Sequence, residues 1–141
     1  MKTLLKGEVH FVENYHSWIV EVTVKWNRRI ITILINSRKT DLETEFLDCS
    51  LTKAPLFTFL SRSETYNFSG KKSPFSELLL ESIETQCLMD SKNPKIELEG
   101  KSFIFKGGIR KKDVTSLSNV FKLYEMLLNE IDYLHHENLT S

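Results

Sequence analysis

Gly107 and Gly108 stand where an apolar alternation stops, followed by the basic residues Arg110, Lys111 and Lys112 just ahead of a helical pattern. Glycine reaches backbone angles closed to other residues, so two of them can turn their N–H groups into an anion-binding nest beside the free N–H donors of the coming helix. A phosphorylated small molecule or another anion is what such a loop would hold. Cations ahead of a helix N-terminus oppose its macrodipole unless an anion sits among them, which favours that reading. Against it, Asp113 is a good N-cap that supplies negative charge itself, and neither GxxxxGK[ST] nor GxGxxG spacing is present. The competing reading is a strand that simply ends on two glycines before a helix begins.

Other residue types capable of chemistry lack the spacing for it. His135 and His136 are adjacent, so on a helix they project about 100° apart and cannot both ligate one metal. His10 and His16 lie in or beside a first strand, and no HExxH motif or carboxylate-rich companion accompanies either pair. No metal and no cofactor is therefore expected. Cys49 and Cys87 fall on expected core faces, where a thiol behaves as a small hydrophobe rather than as an attacking thiolate. No serine lies in a GxSxG elbow. Glu77, Glu81 and Glu84 recur at helical spacing opposite a leucine face, the pattern of a solvated surface. No catalytic residue is assigned, and the chain reads as a binding protein more readily than as an enzyme.

Composition narrows the partners. Lys plus Arg equals Asp plus Glu at 19 each, so no global field recruits nucleic acid or an anionic membrane. Basic doublets at Arg28-Arg29, Arg38-Lys39 and Lys71-Lys72 are interleaved with acidic residues, Asp41, Glu43 and Glu45 following the second directly. They read as loop charges. Two cysteines without a CxxC pair suit a reducing compartment, and the opening MKTLLKGEVHF lacks the apolar h-region of a secretory signal. The most apolar run, Ile30 to Ile35, is far too short to cross a bilayer. A cytoplasmic location follows as the expectation, and the triplets Asn67-Phe68-Ser69 and Asn138-Leu139-Thr140 then count as chance.

The elements that position these residues follow from periodicity. Trp18, Val20, Val22, Val24 and Trp26 share one face of a strict alternation, and Ile31, Ile33 and Ile35 continue it after a loop at Asn27-Arg28. Arg28 suits a left-handed turn position poorly, so a four-residue loop is preferred to a two-residue one. A short strand carrying Val9 and Phe11 precedes this hairpin. Another strand, with Leu47, Cys49 and Leu51 inward, follows it. Pro55 confines the ambiguous segment to Leu60 to an edge or strand start. The polar stretch 61–72 reads as a long loop. Ser73-Pro74 starts an amphipathic helix whose apolar side gathers Phe75, Leu78, Leu79, Leu80, Ile83 and Cys87, ending before Asn93-Pro94. Residues 95–106 read as a second hairpin turning near Glu99-Gly100, with Ile96 and Leu98 opposed by Phe103 and Phe105. A last helix runs from about Asp113 to about His136.

That last helix is apolar on more than one side. Its core stripe is Leu117, Val120, Phe121, Tyr124, Leu128 and Ile131, and Leu123, Met126, Leu127, Tyr133 and Leu134 extend the arc beyond it. Such a helix is wedged between two surfaces, one the sheet and the other either the first helix of the same chain or a second subunit. The chain of 141 residues is expected to form a single α+β domain, an antiparallel sheet built from two or more hairpins with two helices packed on one face. Its order of strands, helix, hairpin and terminal helix loosely resembles that of the bacterial secretion chaperones, which are small homodimers. The chain departs from them in having no N-terminal helix and no acidic excess. The functional expectation is a non-enzymatic protein-interaction or self-associating module, with anion binding at Gly107 to Lys112 as the alternative.

Overall fold

A computed structural model of the protein describes residues 6–41, 45–53, 66–110 and 115–140, with the side chains of 115, 116 and 137–140 left aside. The described strands are β1 (Gly7–Tyr15), β2 (Trp18–Trp26), β3 (Ile30–Lys39), β4 (Phe46–Lys53), β5 (Tyr66–Gly70), β6 (Lys92–Gly100) and β7 (Ser102–Arg110). The helices are α1 (Pro74–Glu81), α2 (Ile83–Leu88) and α3 (Thr115–Thr140). All strands join one antiparallel sheet in the order β1-β2-β3-β7-β6-β4-β5. This is the α+β class expected from the alternation of strands and helices.

The register follows the turns. Trp26 pairs with Ile31 and Val24 with Ile33, so four residues form the β2–β3 loop. Asn27 closes it, its side-chain oxygen accepting from the N–H groups of Arg29 and Ile30 at 2.9 and 3.0 Å. In the second hairpin Leu98 pairs with Phe103 and Ile96 with Phe105. Its turn holds Gly100 at φ 58°, a left-handed angle that glycine adopts without a Cβ clash. The inward faces of these strands, with Leu79, Leu88, Val120, Tyr124, Leu127, Leu128 and Ile131 from the helices, form one buried cluster.

Four expectations are corrected. The segment before α1 is not loop throughout, because 66–70 pair with β4 as an edge strand; residues 54–65, including Pro55 to Leu60, lie outside the described residues. In β4 it is Phe46, not Leu47, that faces the core: one extra residue between Phe46 and Cys49 breaks the register against β6 and swaps the parity. The single helix expected over 74–87 is two, since Ser82 takes an extended conformation at φ −75°, ψ 135°. That break turns Ile83 and Cys87 out to solvent and buries Thr85 and Leu88 instead. Finally, the strand does not stop at the glycines. Gly107 and Gly108 lie inside β7, paired with Ile33 and Thr32 of β3.

Candidate functional site

The terminal helix α3 is held over the sheet by polar anchors on one flank. Lys39 continues the inward parity of Ile31, Ile33 and Ile35 and is only 5% exposed, so its ammonium must find compensation inside. It pairs with Asp132 of α3, donates to the Ser17 hydroxyl at 2.6 Å, and sits 5.0 Å from the centre of the Trp18 ring. The Trp18 indole N–H donates to both oxygens of Asp132 at 3.1 Å, and the Tyr15 hydroxyl donates to Asn129 at 3.1 Å. Nearer the middle of α3, the buried Tyr124 hydroxyl donates to the Phe103 carbonyl at 2.7 Å and meets the Ser37 hydroxyl at 2.7 Å. Burial raises the Tyr124 phenol far above its usual range, so it stays neutral.

The opposite flank of α3 is open. Between it and α1 runs a groove of about 610 Å³, lined by Pro74, Glu77, Leu78, Glu81, Ser82, Asn129, Glu130, Tyr133 and Leu134. Its length is fixed by α1, which begins at a reciprocal cap: Ser73 accepts from the Ser76 N–H at 3.2 Å while Ser76 accepts from the Ser73 N–H at 2.8 Å. The groove stops at Ser82, where the helix breaks. The Ser82 hydroxyl there donates to Glu84 at 2.6 Å and lies 3.2 Å from Glu130. One hydroxyl proton thus serves two carboxylates, and among the described residues neither forms an ion pair. Partial burial, then the charge of Glu84, raises the Glu130 carboxyl above its usual range, with the Ser82 hydrogen bond opposing. The groove therefore has an apolar floor of Leu78, Leu134 and the Tyr133 ring, and a rim of Glu77, Glu81 and Glu130.

The residues singled out on α3 separate into two groups. Leu127 is wholly buried in the chain's own core and Leu123 is half-buried against it, so the first helices cover that part of the apolar arc. Leu134 is half-buried in the groove. Met126 at 43% and Tyr133 at 67% exposure are left to solvent.

The glycine pair is brought together with little of its expected setting. Neither glycine has a positive φ. A Cβ at Gly107 would run into Ser91 and the Phe105 ring, which makes its glycine a packing requirement under the turn after α2. Beside Gly108 is a cavity of about 390 Å³, also lined by Ser91, Lys92, Arg110 and the carboxylate of Asp90. Lys111 and Lys112 lie outside the described residues. Among the described residues no cluster of His, Cys, Asp and Glu could hold a metal, and no helix is long and apolar enough to cross a membrane.

Sequence reasoning missed Lys39, Asp132, Ser82 and Glu130. Lys39 was legible in principle: continuing the alternation of Ile31, Ile33 and Ile35 by two steps, through Ser37, puts it inward, and a buried lysine demands an acid. Glu130 and Ser82 carried no such signal, because the helix break that joins them has none. Set against known protein families, curated proteins and solved structures, the chain matches none.

Proposed function

We propose that the protein is a non-enzymatic, adaptor- or chaperone-like interaction module that receives an amphipathic helix of a partner protein in the groove between α1 and α3. One observation carries this reading: an apolar floor bounded by carboxylates that have no cation of their own among the lining residues, one of which, Glu130, shares the Ser82 hydroxyl with Glu84 just outside the groove. A helix with apolar residues at i, i+3, i+4 and i+7 fills such a floor, and lysines or arginines on its flanks would neutralise Glu77, Glu81 and Glu130. The charge pattern argues against a second copy of α3 as the occupant, since the polar side of that helix brings Glu125 and Glu130 to an already acidic rim. It argues equally against nucleic acid. Two unpaired cysteines support a cytoplasmic working place.

The test uses a synthetic helical peptide with leucines at those four spacings and lysines between them, and a scrambled peptide of the same composition. Calorimetry should show binding of the first only, weakened at least about tenfold by Tyr133→Glu or by Glu77→Lys with Glu81→Lys. Equal binding of both peptides, or binding indifferent to these substitutions, overturns the reading. A second reading, an anion held at the cavity beside Gly108, rests on Lys92 and Arg110 in one lining. Phosphate should then raise the melting temperature in a way that Arg110→Ala abolishes.

A further inference from the structure

We propose that two copies of the chain join by antiparallel pairing of β1 with β1, merging their sheets across a twofold axis. Among the described residues β1 pairs with β2 alone, so its outer row of N–H and C=O groups faces outward along nine residues. Exposed edges of this kind template another strand unless something blunts them. Nothing blunts β1. Its register against β2 is unbroken from Gly7 to Tyr15, without bulge or proline. Glu8 and His10 are engaged sideways with the neighbouring strand, Glu8 with Lys25 at 3.3 Å and His10 with Glu21 at 3.4 Å, and the remaining acid, Glu13, stands opposite Val20 near the end of the strand.

The side chains specify the occupant. Val9 and Phe11 stand opposite Val24 and Val22, on the face the helices cover elsewhere, yet they remain 46% and 41% exposed while their partners are buried. Val12, on the other face, is 55% exposed. Apolar area on both faces of an edge strand is what a strand beside it buries. In an antiparallel self-pairing centred on His10, Val9 of each copy lies opposite Phe11 of the other, which joins four apolar side chains into one cross-strand patch. On the reverse face Glu8 meets Val12. No carboxylate faces a carboxylate. The strand is thus complementary to itself, and a second copy is the partner it fits. This interface is separate from the α1–α3 groove, so either can fail without the other.

Light scattering on the full chain over a range of concentrations should give a dimer. Phe11→Lys and Val12→Lys should each raise its dissociation constant at least about tenfold while the circular dichroism spectrum is unchanged. Because a lysine on β1 could disturb the strand itself, an independent measurement fixes the register. In a Cys87→Ser background, His10→Cys should give a disulfide-linked dimer on mild oxidation and Asn14→Cys should not. A wild-type chain that stays monomeric at high concentration overturns the proposal, as does a dimer that survives both lysines. A dimer broken instead by Tyr133→Glu also overturns it, by placing the contact at the groove.

Discussion

The two flanks of α3 solve the same problem in opposite ways. Toward β2 and β3, every strong polar group has a complement: Lys39 has Asp132, Ser17 and the Trp18 face, and Asp132 has both Lys39 and the Trp18 indole. Toward α1, three carboxylates line a groove with no cation among its described lining residues, and one of them, Glu130, shares a serine hydroxyl with Glu84. Both flanks belong to one helix, so propensity does not separate them. Satisfied polar contacts mark the side that holds the fold. A concentration of unneutralised acids beside apolar surface marks the side the fold does not need, which is where a partner is looked for.

The comparison breaks most easily at Asp132. Asp132→Ala strips the buried Lys39 ammonium of its nearer counter-charge and leaves only Asp41 at 4.0 Å, and the expected cost is about 3 kcal/mol, near the lower end for a broken buried pair because Asp132 itself is partly exposed and Asp41 remains. In a chain of this size that lowers the melting temperature by about 10 °C, readable by calorimetry. If the loss is that of an uncompensated charge, Lys39→Met combined with Asp132→Leu should recover most of it. A double variant as unstable as the single one would show that the flank is held by packing and not by charge.

Next in size is Tyr124→Phe, on the same side of α3. It leaves the Ser37 hydroxyl and the Phe103 carbonyl buried with one partner fewer each, and a loss of about 1–2 kcal/mol in urea unfolding is expected. The phenol adds a pH signature. Burial raises its ionisation in the folded state, so above pH ~10 the unfolded chain loses a proton that the folded chain keeps. Stability from this group is full below that point and falls as pH rises past it. Tyr124→Phe should remove that part of the alkaline decline.

What could be read from the sequence divides along the same line. Periodicity gives the strand order within each hairpin and the inward stripe of α3, and the poor fit of Arg28 to a left-handed turn position gives the four-residue loop after Trp26, because each depends on residues close together in the chain. The bulge at β4, the contact of the broken helix at Ser82 and the continuation of β7 through Gly107 involve segments distant in the chain: β6, Glu130 and β3 respectively. A one-dimensional pattern cannot show them. The site inherits that limit. Tyr133 and Met126 were visible as surplus apolar residues, whereas the acidic rim exists only once α1 is laid beside α3.

Glu130→Gln sharpens the contrast from the other flank, since here removing a charge should help. The Glu130 carboxyl is raised in the folded state by partial burial and by Glu84, so the folded chain disfavours its ionised form relative to the unfolded one. That penalty is full above the raised value and vanishes once both states are protonated. A small gain, about 2 °C in melting temperature, is therefore expected at neutral pH, shrinking to nothing in acid below the usual carboxylate range. A loss at neutral pH would mean that the carboxylate already has its cation.

Smallest of all should be the effect of Tyr133→Ser on stability. Its ring is mostly in solvent, and substitutions at such positions usually stay within about 0.5 kcal/mol. The same change removes apolar floor from the groove and should weaken the leucine–lysine peptide several-fold. Leu127→Ala reverses both halves of that outcome: its side chain is wholly inside, so it costs stability, about 2–5 kcal/mol, without touching the groove lining. Two leucine-rich turns of one helix would thus be assigned to folding and to binding by a pair of substitutions six residues apart. Should Tyr133→Ser instead unfold the chain, the ring is part of the core it was distinguished from, and the two flanks of α3 are one.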